Sequence, residues 1–234
     1  VTNQCNLSCA NCPIKANIYN NSFMKFNVFQ NILCEHRNIP LEVILEGGEP
    51  FLHPQLFLFL EYLKTVPNFK KVIISTNGYV EEYFDTLLDT INRLNICVQL
   101  NVAITSSLIE SYPSHMEVCK KLFDEEQSKK KFHLTFDVTY TSEEDLASLT
   151  SLIKECEIPL DYCTFSVVRA YGALKDTEYP KLEEGKREWH CYASDGTYFC
   201  NDLSARANYE LFLCNEDETP IFDIVNHRGL WLST

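Results

Sequence analysis

The sequence predicts an α/β fold of parallel strands, on three observations. Short runs rich in β-branched and aromatic residues recur at LEVILE (Leu41 to Glu46), KVIIST (Lys71 to Thr76), ICVQLNVAI (Ile96 to Ile104), FHLTFDVTY (Phe132 to Tyr140) and DYCTFSVV (Asp161 to Val168), which reads as buried strands. The segments between them carry helical spacing, as at Phe26, Phe29, Leu33 and at Leu56, Phe59, Leu60, Leu63. Strand and helix alternate, and that alternation implies parallel strands joined by right-handed crossovers. Counting VTNQ at 1–4 as the end of an earlier strand gives six βα units, with most of that first strand expected to lie before Val1.

Local signals support the individual elements. Pro54 suits the first turn of a helix, where a missing N–H costs nothing. Thr141 with Glu144 predicts a capping box opening the helix that runs to Cys156. After Val168 the alternation stops, and VRAYGALKDTEYPKLEEGKREWHC reads as a loop with scattered Gly, Pro and charge. The expected division is a first domain over 1–175 and a small C-terminal region over 188–234. At 234 residues this is one ordinary domain with an appendage, long enough to bury a core.

Composition bounds the function classes. Apolar residues at 45%, charged at 23% and aromatic at 12% describe a folded globular chain. The formal charge of −13 disfavours nucleic acid, whose binding rests on clustered Lys and Arg; the run Lys129 to Lys131 reads as a solvated helix end. No apolar run approaches the ~20 residues of a membrane span, and no start resembles a signal peptide, so the expectation is a cytoplasmic protein without a membrane partner.

Eleven cysteines in such a chain point to metal or redox chemistry rather than a disulfide framework. Cys34, Cys97, Cys119 and Cys156 lie singly in apolar or amphipathic segments and read as core residues. Cys163 fits neither group clearly. Cys5, Cys9 and Cys12, by contrast, fall within CNLSCANCP. Thiolates are soft ligands that select zinc or iron–sulfur. A structural zinc site wants four ligands, usually as two separated pairs, and three cysteines fit that poorly. A [4Fe–4S] cubane has four irons, so three thiolates leave one iron open.

CxxxCxxC at Cys5, Cys9 and Cys12 resembles the signature of the radical S-adenosylmethionine (SAM) enzymes. EGGEPFLHP (Glu46 to Pro54) resembles that family's GGEP segment, STNGY (Ser75 to Tyr79) its TNG turn, and FSVVRAYGA (Phe165 to Ala173) the end of its sixth strand. The resemblance implies a partial (βα)6 TIM-like barrel with its site on the loops after the strands. It implies a [4Fe–4S] cluster held by Cys5, Cys9 and Cys12, and SAM chelating the open iron through its amino and carboxylate groups. Gly47, Gly48 and Glu49 would then meet the SAM amino group, and Asn77, Asn101, Val167 and Arg169 are the further SAM-binding candidates. The chain departs from the family at Asn11, where an aromatic is usual, and at Ala103 and Thr105, where the family often has SxD. Asn101 or Thr105 would supply that polar contact.

HCYASDGTYFCN reads as a hairpin, since Asp-Gly is a strong two-residue turn signal; counting outward sets Cys191 opposite Cys200. With Cys214 downstream, this tail resembles the SPASM or twitch extension found on radical SAM enzymes that act on peptides and some small molecules. Three readings stand: a second iron–sulfur cluster on Cys191, Cys200 and Cys214, with His190 a further candidate ligand; a hairpin whose thiols merely pack; or a tail whose further ligands lie beyond Thr234. The implied function is reductive cleavage of SAM to a 5′-deoxyadenosyl radical that abstracts a substrate hydrogen. The implied substrate is a ribosomally made peptide, with oxidation of a small alcohol or sugar as the alternative, and a flavodoxin or ferredoxin as electron donor. A metal-bound structural protein without activity is the remaining reading.

Overall fold

Strands of five to eight residues that alternate with helices bury most apolar surface when the strands lie side by side and the helices cover one face. A computed structural model of the chain has this arrangement. It describes residues 1–168, apart from Asn11, Pro13, 36–39, Tyr79, Val80 and Lys130, together with Asp176, Glu178 and four short strand segments further on.

Helix α1 (Phe26–Glu35) leads into strand β1 (Leu41–Leu45), and a 3₁₀ turn (Pro50–Leu52) precedes α2 (Leu56–Leu63). Then come β2 (Phe69–Thr76), α3 (Glu81–Leu94), β3 (Val98–Ile104), α4 (Ser106–Ser111), α5 (His115–Lys129), β4 (His133–Tyr140), α6 (Glu143–Glu155) and β5 (Cys163–Val167). The five strands are all parallel in the order β1-β2-β3-β4-β5. Sequential order with right-handed crossovers puts every helix on the same face and curls the sheet into a half-barrel. Residues 1–4 run beside the end of β1, through a parallel bridge between Thr2 and Gly47, at the position of a further strand.

The core lies between sheet and helices. Val72 and Ile74, then Val98, Leu100, Val102 and Ile104, then Leu134, Phe136 and Val138 point into it, while the residues between them stay half-exposed. Helix α2 is nearly all apolar and buries Leu56, Phe59, Leu60 and Leu63; Phe59 stacks on Phe29 of α1 with centroids 4.3 Å apart.

Several local expectations shift. Helix α6 is capped by Ser142, whose hydroxyl accepts the Asp145 N–H at 3.2 Å, while Thr141 donates its own N–H and hydroxyl to the Asp145 carboxylate. Thr141 therefore stands one residue before the cap, because Asp145 captures both of its donors. Pro54 lies in the turn before α2, and Pro50 occupies the early position of the 3₁₀ turn. Of the cysteines expected in the core, only Cys119 is buried; Cys156 is half-buried, and Cys34 and Cys97 are exposed. Cys34 follows the buried Leu33 by one helical step of ~100°, enough to turn it off the apolar stripe.

In the C-terminal region Ser204–Ala205, Glu210–Phe212, Phe222–Asp223 and Arg228–Gly229, strands β6 to β9, form an antiparallel sheet. The hairpin expected around Asp195 and Gly196, with His190, Cys191, Cys200 and Cys214, lies outside the described residues.

Candidate active site

The cysteine loop is folded by its own backbone. Cys5 N–H donates to Asn17 O at 3.0 Å, Cys12 N–H to Cys9 O at 3.1 Å and Lys15 N–H to Cys12 O at 3.2 Å. The loop returns so that Gln4 and Asn17 form a second parallel bridge.

Two of the three thiols receive hydrogen-bond donors: Cys5 Sγ accepts the Leu7 N–H at 3.4 Å and the Asn77 side-chain N–H at 3.5 Å, and Cys12 Sγ accepts the Ala16 N–H at 3.3 Å. The Ser107 side chain lies near Cys9 and draws its pKa down. Asn77 comes from the turn after β2 and Ser107 from α4 after β3, so the loop rests on the C-terminal ends of the strands. Burial pushes the Cys5 thiol up to about 11, the Leu7 N–H draws it down, Glu49 raises it, Asn77 lowers it and Cys9 raises it again. Burial also raises Cys9, with Cys12 adding to the effect. Ligation to a metal supplies the positive charge that offsets these costs, because the thiolate is the ligating form.

Among the described residues no three His, Cys, Asp or Glu side chains converge closely enough to hold a single metal ion. Three thiols within eight residues supply the ligands of a cluster whose irons take one thiolate apiece. They do not make a closed mononuclear zinc site.

GGEP anchors this loop to the sheet. Gly48 N–H donates to Thr2 O at 2.7 Å and Glu49 N–H to Gln4 O at 2.8 Å. A Cβ on Gly47, whose φ is +153°, would stand 2.0 Å from Thr2 O, and one on Gly48 would stand 2.0 Å from Gln4 O. Both glycines are thus required by the close approach of the chain that leads into Cys5.

Glu49 is fully buried. Its Oε1 accepts the Phe51 N–H at 3.1 Å and the Thr76 hydroxyl at 2.9 Å, and its Oε2 accepts the Asn77 N–H at 2.8 Å and the same hydroxyl at 3.0 Å. Burial pushes this carboxyl up to about 7 against the pull of the Asn77 and Phe51 N–H groups and Thr76. It ties the end of β1 to the end of β2.

The TNG turn is braced from below. Gly78 has φ +78°, and a Cβ there would lie 3.0 Å from His115 Cε1. His115 Nε2 lies 2.8 Å from Ala103 O. Since a carbonyl only accepts, Nε2 carries the proton and Nδ1 is bare, and Nδ1 is a buried atom without a hydrogen-bond partner. Burial lowers the ring's pKa, so the imidazole is neutral.

Asn101 accepts the Gln99 side-chain N–H at 2.8 Å on the face of the sheet that the helices leave uncovered. That face carries a polar row. Lys71 bridges Glu42 at 3.3 Å and Gln99 at 3.4 Å, and the Thr164 hydroxyl donates to Asp137 at 2.6 Å. Burial raises the Asp137 carboxyl, opposed by Thr164 and Asn101. Thr105 caps α4, its hydroxyl accepting the Leu108 N–H at 3.0 Å. Val167 ends β5, paired with Tyr140, while Arg169 and Asn11 lie outside the described residues.

Ser107, His115 and Asp137 escape a motif-based reading. A signal for Asp137 does exist in the sequence: His133, Thr135, Asp137 and Thr139 alternate with apolar residues. A parallel strand buried on both faces has no such polar side, so the alternation marks the lining of an open barrel.

The parallel half-barrel thus presents three cysteine thiols, a buried glutamate hub and a glycine turn at its strand ends. Residues 1–107, a little under half of the 234-residue chain, match the model of the Radical SAM superfamily. The thiols of Cys5, Cys9 and Cys12 are of the soft donor type that an iron–sulfur cluster takes. Among solved structures the chain resembles anSMEcpe with bound AdoMet at 17% identity, over 71% of this chain and 49% of that one, with a TM-score of 0.52. It also resembles BtrN in complex with AdoMet and 2-DOIA (14% identity, 97% and 77% covered, TM-score 0.49) and SuiB of Streptococcus suis bound to S-adenosylmethionine (15%, 92% and 58%, TM-score 0.45). The chain thus spans about half the length of anSMEcpe. No curated protein matches it by sequence. Among the described residues no helix is long and apolar enough to cross a membrane.

Proposed function

We propose that the protein is a radical SAM enzyme that modifies a ribosomally made peptide. The supporting observation is the set of donors on the thiols, Leu7 and Asn77 on Cys5 and Ala16 on Cys12, with the Ser107 side chain beside Cys9. Outer donors of this kind orient metal-bound sulfur and tune it. When bound, the [4Fe–4S] cluster and SAM supply one-electron cleavage to a 5′-deoxyadenosyl radical that takes a hydrogen atom from substrate.

The chain's own residues bind and orient. Cys5, Cys9 and Cys12 hold the cluster. Gly47, Gly48 and Glu49 serve the SAM amino group; the buried Glu49 carboxyl, raised by desolvation, gains by pairing with an ammonium. Asn77, in the turn after β2, and Asn101, within β3, are further SAM-binding candidates, with Val167 for the adenine and Arg169 for a carboxylate of SAM or substrate. The polar row of Gln99, Asn101, Thr135, Asp137 and Thr164 lines the barrel interior, where a substrate rich in hydrogen-bonding groups would lie. The SPASM-like tail supports a peptide, and a second cluster on Cys191, Cys200 and Cys214 belongs to that reading. The hydroxyl and carboxyl lining of the barrel suits a small alcohol or sugar as the second reading.

The test is anaerobic reconstitution with iron and sulfide, reduction by dithionite and addition of SAM. Formation of 5′-deoxyadenosine, absent when Cys5, Cys9 and Cys12 are all replaced by Ala, supports the reading. Equal output from parent and triple variant overturns it. Mass change in a short peptide encoded beside the protein, rather than in a polyol, separates the two substrate classes.

A further inference from the structure

The two donors on Cys5 differ in kind. Leu7 N–H belongs to the cysteine loop itself, whereas Asn77 reaches Cys5 from 72 residues away. Asn77 is held at two points besides the sulfur, one on its side chain and one on its backbone. Its Nδ2 donates to Asn6 Oδ1 at 2.9 Å, and its backbone N–H donates to the buried Glu49 carboxylate at 2.8 Å. Thr76, the residue before it, donates to both oxygens of that carboxylate, and the Gly78 N–H in turn donates to the Thr76 hydroxyl at 3.2 Å. The side chain 3.5 Å from the sulfur is thus oriented by Asn6, on a backbone anchored by Glu49.

We propose that Asn77 is a positioning residue that sets the reduction potential of the cluster through its N–H on Cys5. The inference rests on the reading that Cys5, Cys9 and Cys12 hold a [4Fe–4S] cluster. A donor on a ligating sulfur withdraws electron density, and it stabilises the reduced cluster, which carries one more negative charge, more than the oxidised one. Removing the donor therefore moves the potential to more negative values. Asn77 also touches Asn6 and, through its backbone, the glutamate hub, so the cysteine loop and the GGEP segment converge on one amide.

The experiment is a potentiometric titration of the anaerobically reconstituted full chain, followed by electron paramagnetic resonance (EPR), with iron measured per chain. Asn77→Ala is expected to keep its iron and to shift the redox equilibrium against the reduced state by roughly tenfold, which is about 59 mV for one electron. Asn77→Asp, the same shape with an acceptor and a charge in place of the donor, is expected to shift it further. Asn6→Ala keeps the donor but frees its orientation, and a smaller shift in the same direction is expected. Parental potentials in Asn77→Ala and Asn77→Asp with full iron overturn the proposal. If both Asn77 variants lose their iron, Asn6→Ala decides, and an unchanged potential there overturns it. A parent chain that takes up no cluster at all overturns the functional reading above, which is a different failure.

Discussion

The two glycine-bearing loops, GGEP after β1 and TNG after β2, support the cysteine loop in different ways. At GGEP the contact is backbone against backbone: Gly47 and Gly48 leave no room for any Cβ because Thr2 O and Gln4 O would each stand 2.0 Å from it. At TNG the contact is backbone against side chain: Gly78 rests on the His115 ring, where a Cβ would come to 3.0 Å. A carbonyl locked in a bridge cannot retreat, whereas a ring can shift by a few tenths of an ångström. GGEP is therefore a rigid seam and TNG an adjustable one, with the Glu49 carboxylate joining them.

Breaking the rigid seam should have the largest effect. Gly48→Ala is expected to cost on the order of 4 kcal/mol or more, because the Gln4 carbonyl must leave its bond to Glu49 N–H. Soluble yield, thermal midpoint and iron content all fall together. Gly78→Ala is expected to cost about 1–3 kcal/mol, from its positive φ and a modest clash. That chain still folds and binds iron, and urea unfolding of the two variants side by side checks the ranking.

The carboxylate joining the seams gives a pH signature. The folded-state pKa of Glu49 lies near 7, above its ordinary 4.5, so this group favours folding at low pH. That contribution is lost as pH rises from about 4.5 through about 7, and amounts to roughly 3 kcal/mol. A Glu49→Gln chain lacks this dependence. Its unfolding free energy should therefore gain on the parent's by about that amount between roughly pH 5 and pH 8, in the absence of SAM and iron. A constant gap between the two chains would show that the carboxyl stays ionised throughout.

The smallest effect is expected on the α4 side. Ser107→Ala removes the side chain that draws the Cys9 pKa down, without touching either seam. The chain should keep its fold and iron, and lose the cluster to air a few times faster than the parent in a visible-absorbance decay, less than the roughly tenfold or more that a directly hydrogen-bonded outer partner contributes.

Much of this arrangement is legible in the sequence, for identifiable reasons. The strands and helices show because their apolar residues repeat at periods of two and of three to four, and each period survives locally. The three cysteines, GGEP and TNG show because their chemistry is compressed into a few adjacent positions. What the glycine pair serves does not show, since its partners Thr2 and Gln4 lie 45 and 44 residues away and their relation exists only once the strands pair. Ser107 and His115 are hidden for the same reason. Cys34 and Cys97 mislead because an apolar neighbourhood does not fix which way one side chain turns, and both are exposed. Thr141 misleads because Ser142 is an equally good cap one residue later.

The central claim is that three thiols leave one iron open for SAM. The EPR spectrum of the dithionite-reduced, reconstituted chain, recorded before and after addition of SAM, tests it directly. A cluster signal whose shape changes on adding SAM, and which disappears in a Cys5→Ala, Cys9→Ala, Cys12→Ala chain whose tail cysteines are intact, is the predicted result. A signal that SAM leaves unchanged would contradict it.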